Sequence, residues 1–194
     1  MYTIDEVFEF KQIIKKSTFI CTLIPVNSVE EANSHLKEIR KKYYDATHNC
    51  YSYIINQNGT VQIKSSDDGE PSKTAGVIIL DVLQKQQLTN ILAIVTRYFG
   101  GIKLGAGGLV RAYSSSTSEA LKIANIKEII EKEIISIIIN YNYVNDILKL
   151  FKDQELISTS YEENVTLSFN VSKLDKEKLI TDTINITKNS ATIK

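Results

Sequence analysis

Seven of the eight glycines in this chain fall between Gly69 and Gly108. The densest part is the run Thr96-Arg97-Tyr98-Phe99-Gly100-Gly101-Ile102-Lys103-Leu104-Gly105-Ala106-Gly107-Gly108-Leu109-Val110-Arg111. Glycine weakens regular structure, so clustering it predicts a loop whose backbone takes special angles or is approached closely. No Asp or Glu occurs from Val82 to Ser118, while Lys85, Arg97, Lys103 and Arg111 all lie inside that stretch.

The flanks say what the loop joins. Ile91 to Val95 is apolar at every residue, the mark of a central strand buried on both faces. Beyond the loop, Leu109, Ala112, Tyr113, Ala120 and Leu121 recur at helical spacing, predicting a helix from about Gly108 to Ala124. A strand, a glycine loop and a helix start together bind anions, because free N–H groups and the positive end of the helix dipole converge there. Lys103 inside the loop, with Arg97 and Arg111 at its edges, would add charge-assisted bonds to a phosphate. The candidate contacts are Arg97, Tyr98, Gly100, Gly101, Lys103, Gly105, Gly107, Gly108 and Arg111. Neither the Walker loop nor the dinucleotide fingerprint fits the spacing. A tight structural loop packing helix on strand is the competing reading, and the residues leave both open. Tyr98 and Tyr113 flank the loop where a base would stack, though core packing is the better use for at least one of them.

Elsewhere the patterns are regular. Phe8 to Val26 reads as one or two strands joined near Lys15-Lys16. Ser28 and Glu31 form a capping box for a helix running to about Tyr44. Cys50 to Ile55 and Val61 to Lys64 read as a hairpin over Asn58-Gly59. Asp67 to Pro71 is a turn, with Ser72 placed to cap a helix carrying Ala75, Ile78, Ile79, Val82 and Leu83. A second unit is predicted from Lys127: a strand at Ile134–Ile139, a short helix from Val144 to Phe151, and a hairpin over Glu162-Glu163-Asn164. A helix capped by Ser172 with Asp175 and carrying Leu174 and Leu179 follows, with a final strand in the tail. That order is ferredoxin-like. The expected class is α+β, with domains at 1–126 and 127–194.

Charge narrows the partners. Basic and acidic side chains number 23 each, so the chain does not coat nucleic acid by net charge and any polyanion site is a local patch. Two cysteines, Cys21 and Cys50, make neither a disulfide framework nor a zinc quartet. With no signal-like start and no membrane-length apolar run, the expectation is a soluble cytoplasmic protein.

Two smaller clusters invite chemistry. Asp67, Asp68 and Glu70 are weak candidates for Mg²⁺, although acidic residues also favour turns and helix starts. His48 and Cys50, with Asp45 near in sequence, suggest a nucleophilic pair. Residues two apart on one strand seldom reach hydrogen-bond distance, however, and a buried thiol beside a polar histidine is the alternative. No metal, cofactor or catalytic residue is assigned from these.

Read together, His48-Asn49-Cys50-Tyr51-Ser52-Tyr53, Asp67 to Gly76 and the Thr96 to Tyr113 block resemble the Impact/YigZ family, in order and spacing. The resemblance implies an Impact-type first domain, like the second domain of ribosomal protein S5. It also implies a small second domain like the ferredoxin-type C-terminal domains of elongation factor G. The family usually has glycine at Lys73 and proline at Ile78. The resemblance implies a cytoplasmic, translation-linked protein and supplies no activity; the acid-free basic loop adds the leading expectation, a non-enzymatic binder of RNA or the ribosome, with no DNA or membrane partner expected. A protein partner docking on the second domain, and an enzyme or binder of a small phosphorylated or nucleotide ligand at the same loop, are the alternatives.

Overall fold

The computed structural model describes residues 1–57 and 59–194. The chain divides into two compact units, Met1–Ile129 and Ile130–Lys194. In the first, the elements run β1 (Tyr2–Ile4), β2 (Phe8–Ile14), β3 (Ser17–Pro25), α1 (Val29–Lys42), β4 (His48–Gln57), β5 (Thr60–Ser66), α2 (Gly76–Lys85), β6 (Ile91–Tyr98), α3 (Ala106–Ile123) and β7 (Ile126–Glu128). The second holds β8 (Lys132–Ile139), a 3-10 turn at Tyr141–Tyr143, α4 (Val144–Leu150), β9 (Glu155–Tyr161), β10 (Val165–Ser172), α5 (Lys173–Ile186) and β11 (Thr192–Ile193).

Five strands of the first unit form one antiparallel sheet in the order β2-β3-β6-β4-β5. The continuous apolar run lands on β6 at its centre, and alternation assigns each side chain a layer. Ala93 and Val95 pack with α2 and α3, while Leu92 and Ile94 pack with α1. Burying each large aliphatic is worth roughly 1.5–3 kcal/mol, so β6 anchors both layers. The β2–β3 hairpin turns at Lys15-Lys16, both in the left-handed region (φ 45° and 66°), as a two-residue turn requires. The β4–β5 turn read from sequence has Asn58 outside the described residues.

Three local expectations change. Ser72 does not cap α2; Asp67 does, from nine residues before the first helical residue. Helix α3 starts at Ala106, two residues before the expected point. Ile126–Glu128 pairs with Tyr2–Ile4 and so belongs to the first unit, which carries the division past Lys127.

The second unit is a four-strand antiparallel sheet ordered β11-β8-β10-β9, with the tail strand β11 pairing to Ile137 and Ile138. Ile135, Ile137, Ile139, Leu167 and Phe169 pack against Ile147, Phe151 and Leu179. Ser172 caps α5 as expected, accepting from Leu174 N–H at 3.1 Å, but the Leu174 side chain is 82% exposed rather than packed. No helix among the described residues is long and apolar enough to cross a membrane.

Candidate functional site

The glycine loop and the Asp67–Pro71 turn face each other across a cleft of about 380 Å³. Thr47, His48, Glu70, Pro71 and Arg97 line one side, and Phe99, Lys103, Leu104, Gly105, Ala106 and Leu109 line the other. β-Pairing makes this juxtaposition. His48 stands opposite Arg97 in the β4–β6 register, and Phe99 N–H donates to Thr47 Oγ1 at 2.9 Å.

Two glycines explain the loop's shape. A Cβ on Gly100 would stand 1.9 Å from the Lys16 carbonyl oxygen, so only glycine lets the loop pass the β2–β3 turn. Gly105, at φ 72°, is the N-cap of α3 and has no side chain to cap it. The first bond inside α3 runs from Leu109 N–H to the Gly105 carbonyl. Among the described residues no side chain caps this helix, and its first turn carries no acid. The Ala106, Gly107 and Gly108 amides are thus left for an outside acceptor, with the positive end of the dipole behind them. Lys103 beside them is exposed and has no carboxylate partner among the described residues.

The opposite wall is a buried polar network. Glu70 Oε1 accepts from Arg97 Nη1 at 2.7 Å and from Tyr113 Oη at 2.7 Å. Tyr113 Oη in turn takes the Cys50 thiol at 3.3 Å. His48 Nδ1 donates to the Asp68 carbonyl at 2.8 Å, which places its proton, and Nε2 lies 3.8 Å from Glu70 Oε2. Burial pushes the Cys50 thiol up to about 12 and raises Tyr113 well above the usual phenol range.

These contacts redistribute the residues singled out from the sequence. Arg97 lines the cleft but is only 5% exposed, its guanidinium held by Glu70 and stacked near Phe19 and Phe99. It therefore holds the wall together rather than standing at an open edge. Tyr113 is fully buried and cannot stack on a base. Tyr98 is half-buried and donates its hydroxyl to Asp45 at 2.8 Å. Cys50 gives its thiol to the Asp67 carbonyl and Tyr113, so it forms no pair with His48. Asp67 receives the amides of Lys73, Ala75 and Gly76, and Asp68 is held by Arg40 and the Asn49 amide. Among the described residues no three His, Cys, Asp or Glu side chains group as a metal would need. Lys73 has φ 62°, the conformation glycine takes without strain.

Arg111 lies outside this cleft. With Lys15, Leu104, Gly108 and Ser115 it lines a second one of about 220 Å³ on the other side of Leu104. Lys15 and Lys16 were missed from sequence because the loop lies more than eighty residues further along the chain. Only the β3–β6 pairing brings their turn to it.

Comparison with known proteins gives this arrangement its setting. Residues 15–121 match the Impact N-terminal domain family, which covers every residue of the main cleft. The IMPACT family member YvyE of Bacillus subtilis is 43% identical over 84% of this chain and 76% of its own length. An IMPACT family member of Haemophilus influenzae is 34% identical over 84% of this chain and 81% of its own. A crystal structure described as that of a hypothetical protein superposes with a TM-score of 0.69 at 28% identity, covering 99% of this chain and 95% of that one. The chain belongs to the IMPACT family.

Proposed function

We propose that the protein binds a phosphate of RNA, free or ribosomal, on the uncapped start of α3, with Lys103 as the principal charged contact. The carrying observation is that this helix end opens on a cleft with bare amides, an exposed lysine and no acid in its first turn. Arg111 and Lys15 in the adjoining cleft extend the surface for a following phosphate. Exposed Phe99, at 46%, offers a ring face beside it. The Impact/YigZ resemblance adds a translation-linked, cytoplasmic setting to this reading. It also supports an S5-domain-2-like fold for the first unit. A ferredoxin-like fold for the second is supported by the strand order β11-β8-β10-β9.

The test is fluorescence anisotropy of a short single-stranded RNA across a salt series. Lys103→Ala is expected to weaken binding and to lower the salt slope by about one, the signature of one lost phosphate contact. Wild type that binds no RNA, or Lys103→Ala and Arg111→Ala variants indistinguishable from it, would sink the reading. Arg97 is left intact in this series, since its loss disturbs the buried pair with Glu70.

A further inference from the structure

The wall facing α3 carries a feature that the internal network does not use. Glu70 has a side chain only 2% exposed, yet it lines the cleft. Its Oε1 is doubly occupied by Arg97 and Tyr113, whereas Oε2 meets no hydrogen-bond donor among the described residues. The ring nitrogen facing it, His48 Nε2, stays 3.8 Å away, and the ring's proton is on Nδ1. Oε2 is not among the buried side-chain atoms left without a partner, so it opens on the cleft as an acceptor that a ligand's donor can reach. Arg97 balances the charge of Glu70, so this wall is close to neutral while the α3 end is positive. The cleft is therefore polarised: an anion at one end, a donor at the other.

Resting on the phosphate assignment above, we infer that Glu70 Oε2 reads a ribose 2′-hydroxyl, so that the cleft holds one ribonucleotide of the strand with its phosphate on α3. The 2′-hydroxyl is the donor that sets RNA apart from DNA near each phosphate. It would donate its proton to Oε2. A volume of about 380 Å³ lies near the lower end of small-ligand sites, about 300–1,000 Å³, which suits one nucleotide rather than several.

The test compares three fluorescent strands of one sequence at fixed salt: RNA, DNA and fully 2′-O-methylated RNA. Wild type should bind the DNA and the methylated strand about tenfold more weakly, since each lacks the hydroxyl proton. Glu70→Gln keeps an acceptor for Arg97 and Tyr113 but puts an amide donor at the second position. It should bring the three strands within about twofold of one another. Should that variant misfold, the methylated strand on wild type decides alone. Equal binding of all three by wild type, each weakened by Lys103→Ala, overturns the ribose reading and leaves the phosphate site standing. No binding of any strand overturns both.

Discussion

The turn leading into α2 and the start of α3 both line the cleft, and the two helix starts are finished in opposite ways. At α2, Asp67 Oδ1 accepts the amides of Ala75 and Gly76 at 3.1 and 2.8 Å, and Oδ2 accepts Lys73 N–H at 2.8 Å. At α3, the N-cap is Gly105, the first turn holds no acid, and Lys103 adds positive charge nearby. Every helix start leaves the same orphan donors. Where the chain supplies its own carboxylate, the end is structural. Where it withholds one and keeps the neighbourhood positive, the amides stay open, and the proposed phosphate would fill them.

The largest effect should come from the wall on the α2 side. Glu70→Ala leaves the Arg97 guanidinium buried beside Phe19 without its carboxylate, and losing one partner of a buried pair costs about 3–5 kcal/mol. Urea unfolding should show that loss as a lower midpoint at unchanged slope. A change below about 1 kcal/mol would mean that the pair contributes little and that this side is less built than the comparison holds.

Asp67→Ala comes next, at about 2 kcal/mol, because a carboxylate that caps a helix and closes the preceding turn is lost at once. Lys103→Ala, on the α3 side, should leave the thermal midpoint unmoved, since its side chain is exposed and has no carboxylate partner among the described residues. Equal destabilisation by the two substitutions would erase the contrast between structural and vacant helix starts.

What could be read ahead of the structure follows the same division. Contacts close in sequence were legible. The Ser28 cap accepts Glu31 N–H at 3.1 Å, and the apolar run at Ile91–Val95 is the central strand. The glycine loop was legible as a link from a strand to a helix start, with a lysine and no acid, because that signal is local. The opposite wall was not. Glu70, Arg97 and Tyr113 are separated by tens of residues, and each alone reads as something else: a turn acid, a loop cation, a stacking ring. Only the β4–β6 pairing and the packing of α3 bring them together, and burial then turns a supposed outer clamp into an internal tie. The Asp67 cap was missed for a related reason, since Ser72 stood closer in sequence to the helix it was expected to serve.

A substitution of small effect on stability is the sharpest test of the contrast, because it gives α3 what α2 already has. Ala106 is exposed at the first position of α3 and lines the cleft, so Ala106→Asp has room and places a carboxylate at the bare amides. An acid in the first turn gains about 0.3–1 kcal/mol from the dipole. The poorer helix propensity of aspartate takes back roughly 0.5 kcal/mol, so the net shift should stay within about 0.5 kcal/mol. Binding should respond quite differently. The new carboxylate occupies the donors a phosphate would use and repels it, so RNA affinity should fall at least about tenfold. Ala106→Asn separates the two causes: it offers a neutral acceptor, competes for the amides without repulsion, and should lose less affinity than the aspartate. A fully stable Ala106→Asp variant that binds RNA like wild type would show that α3 begins bare only to let the loop pack, and the difference between the two helix starts would then carry no function.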